Sequence, residues 1–296
     1  MTWQKLRDMI SSGIGQGHGE AYRPFLQVKR GTSSPKGNQS IGPLPGCVRP
    51  YHALTRVERQ LALLCYWLGA SDVREQFPAW PFAHPHPLAG ADNADEYRYV
   101  LAPGLIAIAE DAGIDHGVFP GTNVPYVATL DLVVTVPGRI GPRLVVISCK
   151  AGSDLEAAPP TSRMIERLEL ERRYCKSISA RYHVAHELAI SRVLLQNLEI
   201  CGAALAVPVT AEGERLVEPF LHECLNRMPI RQAIAMAAAH AGVENSSAWA
   251  AFYRLAWLME IDVDLSRPLV TTQIALQGGQ ALRRALQQKL LAEGCQ

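Results

Sequence analysis

Three charged residues, Glu58, Asp131 and Lys150, have types and positions that could perform chemistry. Asp131 lies inside the apolar run YVATLDLVVTV and Lys150 ends a second run, RLVVISCK, where a charge is costly to bury unless it is paired or bound to a metal. An aspartate followed by Ser148-x-Lys150 is similar to the D…(E/Q)-x-K pattern of metal-dependent nucleases. In such sites carboxylates hold one or two Mg²⁺ or Mn²⁺ ions, and the lysine positions the water or the phosphate.

The same residues also have purely structural explanations. Asp131 and Lys150 would form an ordinary cross-strand ion pair if their strands are neighbours. Thr55-x-x-Glu58 is a capping-box pattern, in which the glutamate serves only the first turn of its own helix. The spacing of these residues therefore leaves both interpretations open.

The strands predicted around Asp131 and Lys150 bring the two residues together. The runs on either side of the turn cluster PGRIGP are β-rich, which predicts an antiparallel hairpin. A turn centred on residues 139–140 places Asp131 opposite residues 148–150. Because side chains alternate along a strand, Ser148 and Lys150 share a face.

Helical and strand patterns alternate around this hairpin. Apolar residues at helical spacing predict a helix over 55–69, followed by a short strand over 72–77 that ends at Pro78. A short helix is expected over 103–113, and the charged helix ERLELERRYCKS precedes a short strand near 182–185. This order predicts an α/β domain.

The chain after residue 190 has an almost wholly helical pattern. Two Ala-rich helices flank the breaker GVENS and resemble a helix-turn-helix within a small winged-helix domain, and residues 272–292 predict a final amphipathic helix. We therefore expect two domains, an α/β domain over 1–190 and an all-α, winged-helix-like domain over 191–296.

The charges are unevenly distributed, although 29 basic and 28 acidic residues nearly balance. Residues 1–60 hold nine basic and three acidic residues, whereas residues 70–131 hold two basic and nine acidic residues. A basic arm containing Lys29 and Arg30 is typical of a segment that grips DNA phosphates, and ordinary surface variation explains it equally well.

The cysteines and the hydropathy favour a soluble, cytoplasmic protein. Seven scattered cysteines without a C-x-x-C pair argue against a disulfide framework and a zinc cluster, and no run resembles a signal peptide or a membrane span. His84 and His86 have a spacing that could ligate a metal, but their proline-rich setting favours a solvated loop.

Several long sequence blocks resemble the TnsA family of transposon endonucleases, in the same order and over roughly residues 10–190. They are GQGHGEAYRPFLQV, HALTRVE, DVREQFP, IAEDAGIDH, TLDLVV, SCKAGSDL and RLELERRY. The resemblance implies a restriction-endonuclease-like fold with a mixed sheet. It also implies that Glu58, Asp131 and Lys150 form a catalytic site, with Glu58, Asp131 and the main-chain carbonyl of Cys149 as ligands of Mg²⁺ or Mn²⁺.

The resemblance further implies a function within a larger assembly. The chain would be the metal-dependent endonuclease subunit of a heteromeric transposase and would cut the 5′ ends of a mobile element. Its partners would be the element's DNA ends, an integrase-fold (TnsB-like) transposase and an AAA+ (TnsC-like) ATPase, with no membrane involved.

One position departs from the family pattern and keeps an alternative open. Ser148 stands where the family often has Gln or an acid, and a hydroxyl is a poorer Mg²⁺ ligand than a carboxylate. Ser148 is therefore only an additional candidate metal ligand, directly or through a water. Two hypotheses compete with the nuclease. In the first, the chain is a catalytically inactive DNA-binding or scaffolding subunit. In the second, it is a transcription regulator built on the helix-turn-helix. Arg172 and Arg173 are candidate DNA contacts, or else the solvated face of a helix.

Overall fold

The computed structural model describes residues 1–29, 39–95, 99–150, 159, 162–186, 190–208 and 211–292. The chain separates into two compact units, whose main spans are Met1–Glu187 and Leu188–Ala292. Within these described ranges, no helix is both long and apolar enough to cross a lipid bilayer.

The first unit mixes helices and strands. Its helices are α1 (Trp3–Ser11), α2 (Arg56–Trp67), α3 (Leu105–Ala112) and α4 (Arg163–Ser177). Its strands are β1 (Ser40–Gly42), β2 (Tyr51–Ala53), β3 (Asp72–Ala79), β4 (His84–Pro85), β5 (Leu101–Ala102), β6 (Ala128–Val136), β7 (Arg143–Cys149) and β8 (Arg181–Ala185).

A four-stranded mixed sheet with the order β3-β6-β7-β8 lies at the centre of this unit. The pairs β3–β6 and β6–β7 are antiparallel, whereas β7 and β8 are parallel. The parallel pair requires a crossover, and helix α4 lies in that connection. The predicted α/β class and the predicted β6–β7 hairpin are therefore confirmed.

The predicted element ends differ from the structure mainly at Pro78. Strand β3 continues through Pro78 to Ala79, although the sequence predicted that the strand would stop there. Because β3 is an edge strand of the sheet, a missing backbone donor is tolerated at this position.

The core of the first unit forms where α3 and α4 pack with the sheet. Buried side chains of β3, β6 and β7 contact buried residues of both helices in one cluster, which includes Phe77, Leu130, Val146, Leu105 and Leu170. Helix α2 packs against β3 and β6 and buries Leu61, Leu64 and Trp67. Strands β3, β6 and β7 are consequently buried along most of their length, whereas the edge strand β8 is largely half-buried.

The second unit contains five described helices. They are α5 (Arg192–Ala204), α6 (Ala211–Cys224), α7 (Ile230–Ala241), α8 (Asn245–Leu258) and α9 (Gly279–Leu291). Gly242, in the left-handed conformation, ends α7 and separates it from α8, as the helix-turn-helix prediction requires. Among the described residues of this unit no strand is present that could form a wing.

Candidate functional site

The hairpin formed by β6 and β7 brings Asp131 and Lys150 together. The register pairs Leu132 with Ile147, which places Asp131 across from Ser148. Lys150 Nζ lies 3.2 Å from Asp131 Oδ2 and donates to the Cys149 carbonyl oxygen at 3.3 Å. The backbone N–H of Cys149 also donates to Asp131 Oδ2, at 2.7 Å. Two oxygen atoms, Asp131 Oδ2 and Cys149 O, therefore converge on one cationic group.

The charge of Lys150 is stabilised by this arrangement. Burial lowers the pKa of the ammonium, but attraction by Asp131 and then Glu171 outweighs burial, so the pKa of Lys150 is raised above its ordinary value. The lysine therefore remains a cation at neutral pH.

Glu58 reaches the same region from the first turn of α2. Its Oε2 accepts hydrogen bonds from the Leu54 N–H (3.0 Å) and from Gln76 Nε2 (3.4 Å), and its Oε1 accepts from Thr55 Oγ1 (3.2 Å). Burial, followed by repulsion from Asp131, raises the pKa of Glu58 to about 7. The negative charge of Asp131 therefore opposes ionisation of the Glu58 carboxyl.

The capping interpretation of Glu58 also has structural support. Thr55 is the N-cap of α2, and its side-chain oxygen accepts a hydrogen bond from the Glu58 N–H at 3.2 Å. The Glu58 carboxylate in turn accepts from Leu54, one residue before the cap. The Glu58 side chain therefore both caps the start of the helix and interacts electrostatically with Asp131, so the two explanations are compatible.

Gln76 is a strained residue beside this site. It is buried within β3 yet has a positive φ of 48°, a conformation that residues other than glycine rarely adopt. The Gln76 carbonyl oxygen accepts a hydrogen bond from the Phe25 N–H. The neighbouring Glu75 forms a bidentate ion pair with the Arg49 guanidinium, with N–O distances of 2.6 and 2.5 Å. Because these contacts fix the backbone, the Gln76 amide is held against the Glu58 carboxylate.

Replacing Gln76 by glycine and by alanine should separate backbone strain from side-chain contact. Both changes remove the amide, but only glycine adopts the positive φ freely, so Gln76→Gly should be more stable than Gln76→Ala by about 1 kcal/mol. Urea denaturation of the two variants measures this difference directly. Equal stabilities would show that the backbone at this position carries no strain.

Glu171 is a site residue that the sequence analysis did not identify. It is buried on α4, and its Oε2 accepts hydrogen bonds from the Tyr182 hydroxyl at 2.9 Å and from the Ser148 hydroxyl. Burial raises the pKa of this carboxyl, while the Ser148 hydrogen bond and Lys150 oppose the rise. The Ser148 hydroxyl therefore donates a hydrogen bond to Glu171 of α4. Glu171 thus places a carboxylate next to Ser148, the position where the TnsA family often has Gln or an acid.

Some of these residues line a cleft with a cavity volume of about 330 Å³, whereas Glu58 and Ser148 are not part of its lining. Asp131, Lys150 and Glu171 line part of it, and Tyr126 and Arg167 line another part. Among the described residues, no group of three or more His, Cys, Asp or Glu side chains is gathered in a way that could hold a metal. A metal here would depend on two carboxylates and a main-chain carbonyl.

The predicted DNA-contacting arginines of α4 lie away from this cleft. Arg172 and Arg173 are exposed, and both pair with Glu169, at 2.7 Å each. Lys29 is exposed in the N-terminal segment, whereas Arg30 lies outside the described residues. Neither Arg172 nor Arg173 lines the cleft that Asp131 and Lys150 line.

His84 and His86 do not lie in a solvated loop. Both are buried, and His84 Nε2 lies 2.8 Å from the Tyr174 hydroxyl while its Nδ1 lies 2.9 Å from the Phe82 carbonyl. His86 Nδ1 accepts a hydrogen bond from the Leu88 N–H at 3.1 Å. The expectation of a solvated proline loop is wrong, because both imidazoles are buried and form hydrogen bonds with neighbouring polar groups.

Fold and site together define a mixed α/β protein with a carboxylate–lysine cleft at a β-hairpin. No protein-family model matches the chain. The chain is similar to the transposon Tn7 transposition protein TnsA of Escherichia coli, with 29% identity over 215 residues. The similar region covers 72% of this chain and 67% of that protein.

Proposed function

We propose that this chain is the metal-dependent DNA endonuclease subunit of a Tn7-like heteromeric transposase and that it cuts the 5′ ends of a mobile element. The observation that carries the proposal is the convergence of Asp131, Lys150 and the Cys149 carbonyl beside Glu58. The similarity to a transposition protein agrees with it.

The chemistry of the oxygen atoms fits a divalent cation. Asp131 Oδ2 and Cys149 O already converge on a cationic group, and the charge of Asp131 opposes ionisation of the buried Glu58. Hard oxygen ligands of this kind are those that Mg²⁺ and Mn²⁺ prefer. Glu58, Asp131 and the Cys149 carbonyl would hold one or two such ions. A bound ion would activate a water for attack and would stabilise negative charge on the phosphate.

Lys150 contributes a fixed positive charge at the reacting phosphate. Its ammonium stays protonated beside Asp131, so it can orient the attacking water or a phosphate oxygen by donating a hydrogen bond. Glu171 lies behind Ser148 and attracts Lys150 electrostatically, which keeps the ammonium near the cleft. We assign Ser148 a positioning role rather than a role as a metal ligand.

The two units would divide the work of the assembly. We assign the catalytic function to the restriction-endonuclease-like region over 1–190, and the binding of partners or DNA to the helical region over 191–296. The partners would be the DNA ends of the element, a TnsB-like transposase that cuts the 3′ ends and a TnsC-like ATPase.

Strand-resolved cleavage tests the proposal. Element ends labelled on either strand are incubated with the transposase, the ATPase and this chain, in Mg²⁺, Mn²⁺, Ca²⁺ or EDTA. We expect 5′-strand cuts that need both this chain and Mg²⁺ or Mn²⁺. Cuts of the 3′ strand alone would instead identify the chain as a scaffolding subunit.

A further inference from the structure

The cleft has a basic and aromatic wall that the proposed chemistry does not use. Arg163, Met164, Arg167, Leu170 and Glu171 line the cleft at the spacing of one helical face of α4. Tyr126 and His116 line it from the segment before β6. The acid and lysine of the proposed site therefore share one cavity with two arginines.

Arg167 is the arginine best placed to meet a ligand. Its guanidinium lies 5.0 Å from the centre of the Tyr126 ring, and it makes no ion pair within the described part of the chain. The other arginines of α4 differ, since Arg163 pairs with Glu166 at 2.8 Å and Arg172 and Arg173 share Glu169. An exposed guanidinium held by an aromatic ring retains its donors for an anion.

The position of Arg167 is fixed by the packing of its neighbours. Tyr126 packs against Phe119 with ring centres 5.2 Å apart, and its N–H donates to the Gly117 carbonyl at 3.2 Å. Arg163, one turn earlier on α4, donates to the His116 carbonyl at 3.0 Å, which joins the start of the helix to the same segment. The guanidinium is thus presented on a rigid wall of the cleft.

We propose that Arg167 binds a backbone phosphate of the DNA strand that is cut, next to the scissile phosphate, and that Tyr126 positions its guanidinium. This inference rests on the proposed function for the identity of the ligand. An arginine that neutralises a phosphate contributes to affinity without reading sequence, and it releases a counterion.

Equilibrium binding of fluorescein-labelled end DNA to the full chain, measured in EDTA at several KCl concentrations, tests this inference. Arg167→Ala should weaken binding about fivefold and reduce the slope of log K against log [salt] by about 1. Tyr126→Phe, which keeps the ring, should bind as wild type does, whereas Tyr126→Leu should weaken binding. The matched control is Lys176→Ala, which removes an exposed cation of the same helix outside the cleft and should leave the slope unchanged.

The outcomes separate this inference from the proposed function. An unchanged slope for Arg167→Ala, an equal loss in Lys176→Ala, or no binding by wild type would overturn the assignment of Arg167. If Arg167→Ala loses affinity but Asp131→Asn cleaves normally, the phosphate contact stands and the nuclease site is wrong. The reverse pattern would support the nuclease site and remove Arg167 from the DNA path.

Discussion

Asp131→Asn is expected to reduce 5′-strand cleavage at the element ends by at least about 1000-fold, which corresponds to roughly 4 kcal/mol of transition-state stabilisation. Asp131 Oδ2 accepts from both the Cys149 N–H and Lys150 Nζ. The substitution keeps the shape of the side chain but removes the charge that orients the lysine and attracts a divalent cation. Single-turnover cleavage in the complete assembly measures the effect.

The matched control for this prediction is Asp111→Asn, which changes an exposed aspartate on α3. It should cleave at the wild-type rate, and both variants should keep the wild-type affinity for end DNA. Cleavage by Asp131→Asn within tenfold of wild type would mean that the Asp131–Lys150 contact is only a cross-strand ion pair.

Glu58→Gln is expected to stabilise the metal-free protein above neutral pH. The pKa of Glu58 in the folded state is about 7, above the value of an exposed glutamate, so the folded protein binds this proton more tightly than the unfolded chain does. The protonated Glu58 carboxyl therefore contributes to the free energy of unfolding at low pH, and this contribution is lost as the pH rises through about 7. The loss approaches about 3 kcal/mol when the carboxyl is ionised in both states.

Urea denaturation in EDTA between pH 5 and pH 8.5 measures this dependence. Glu58→Gln should flatten the decline, whereas Glu110→Gln, at an exposed glutamate of α3, should leave it unchanged. Adding Mg²⁺ at pH 8 should stabilise wild type more than Glu58→Gln, because a cation favours the ionised carboxylate. If stability declines with pH in Glu58→Gln as it does in wild type, other groups cause the decline. Glu171, whose pKa is also raised, would be the first of these to test.

The proximity of Asp131 and Lys150 was predictable because it depends on local geometry. A turn cluster between two β-rich runs fixes the hairpin, and the period of two along a strand fixes which residues face each other. The helix start at Thr55 was also readable, since capping depends on residues three positions apart. These features need no knowledge of the tertiary structure.

Glu171 and Gln76 could not be predicted in the same way. Glu171 meets Ser148 only because α4 crosses between β7 and β8, so its role depends on packing between residues 23 positions apart. One sequence signal pointed to a buried position for Glu171. It lies between Leu170 and Tyr174, and the helix buries both of these residues. The positive φ of Gln76 has no sequence signal, because it is imposed by the contacts around β3.

Binding of Mn²⁺ tests most directly the central claim that Glu58 and Asp131 share a divalent cation. Electron paramagnetic resonance can follow free Mn²⁺ as the full chain is titrated at pH 8, alone and with end DNA. Wild type and Asp111→Asn should bind one or two ions, and Asp131→Asn and Glu58→Gln should lose that binding. Equal binding by all four proteins, or no binding by wild type even with DNA, would contradict the account.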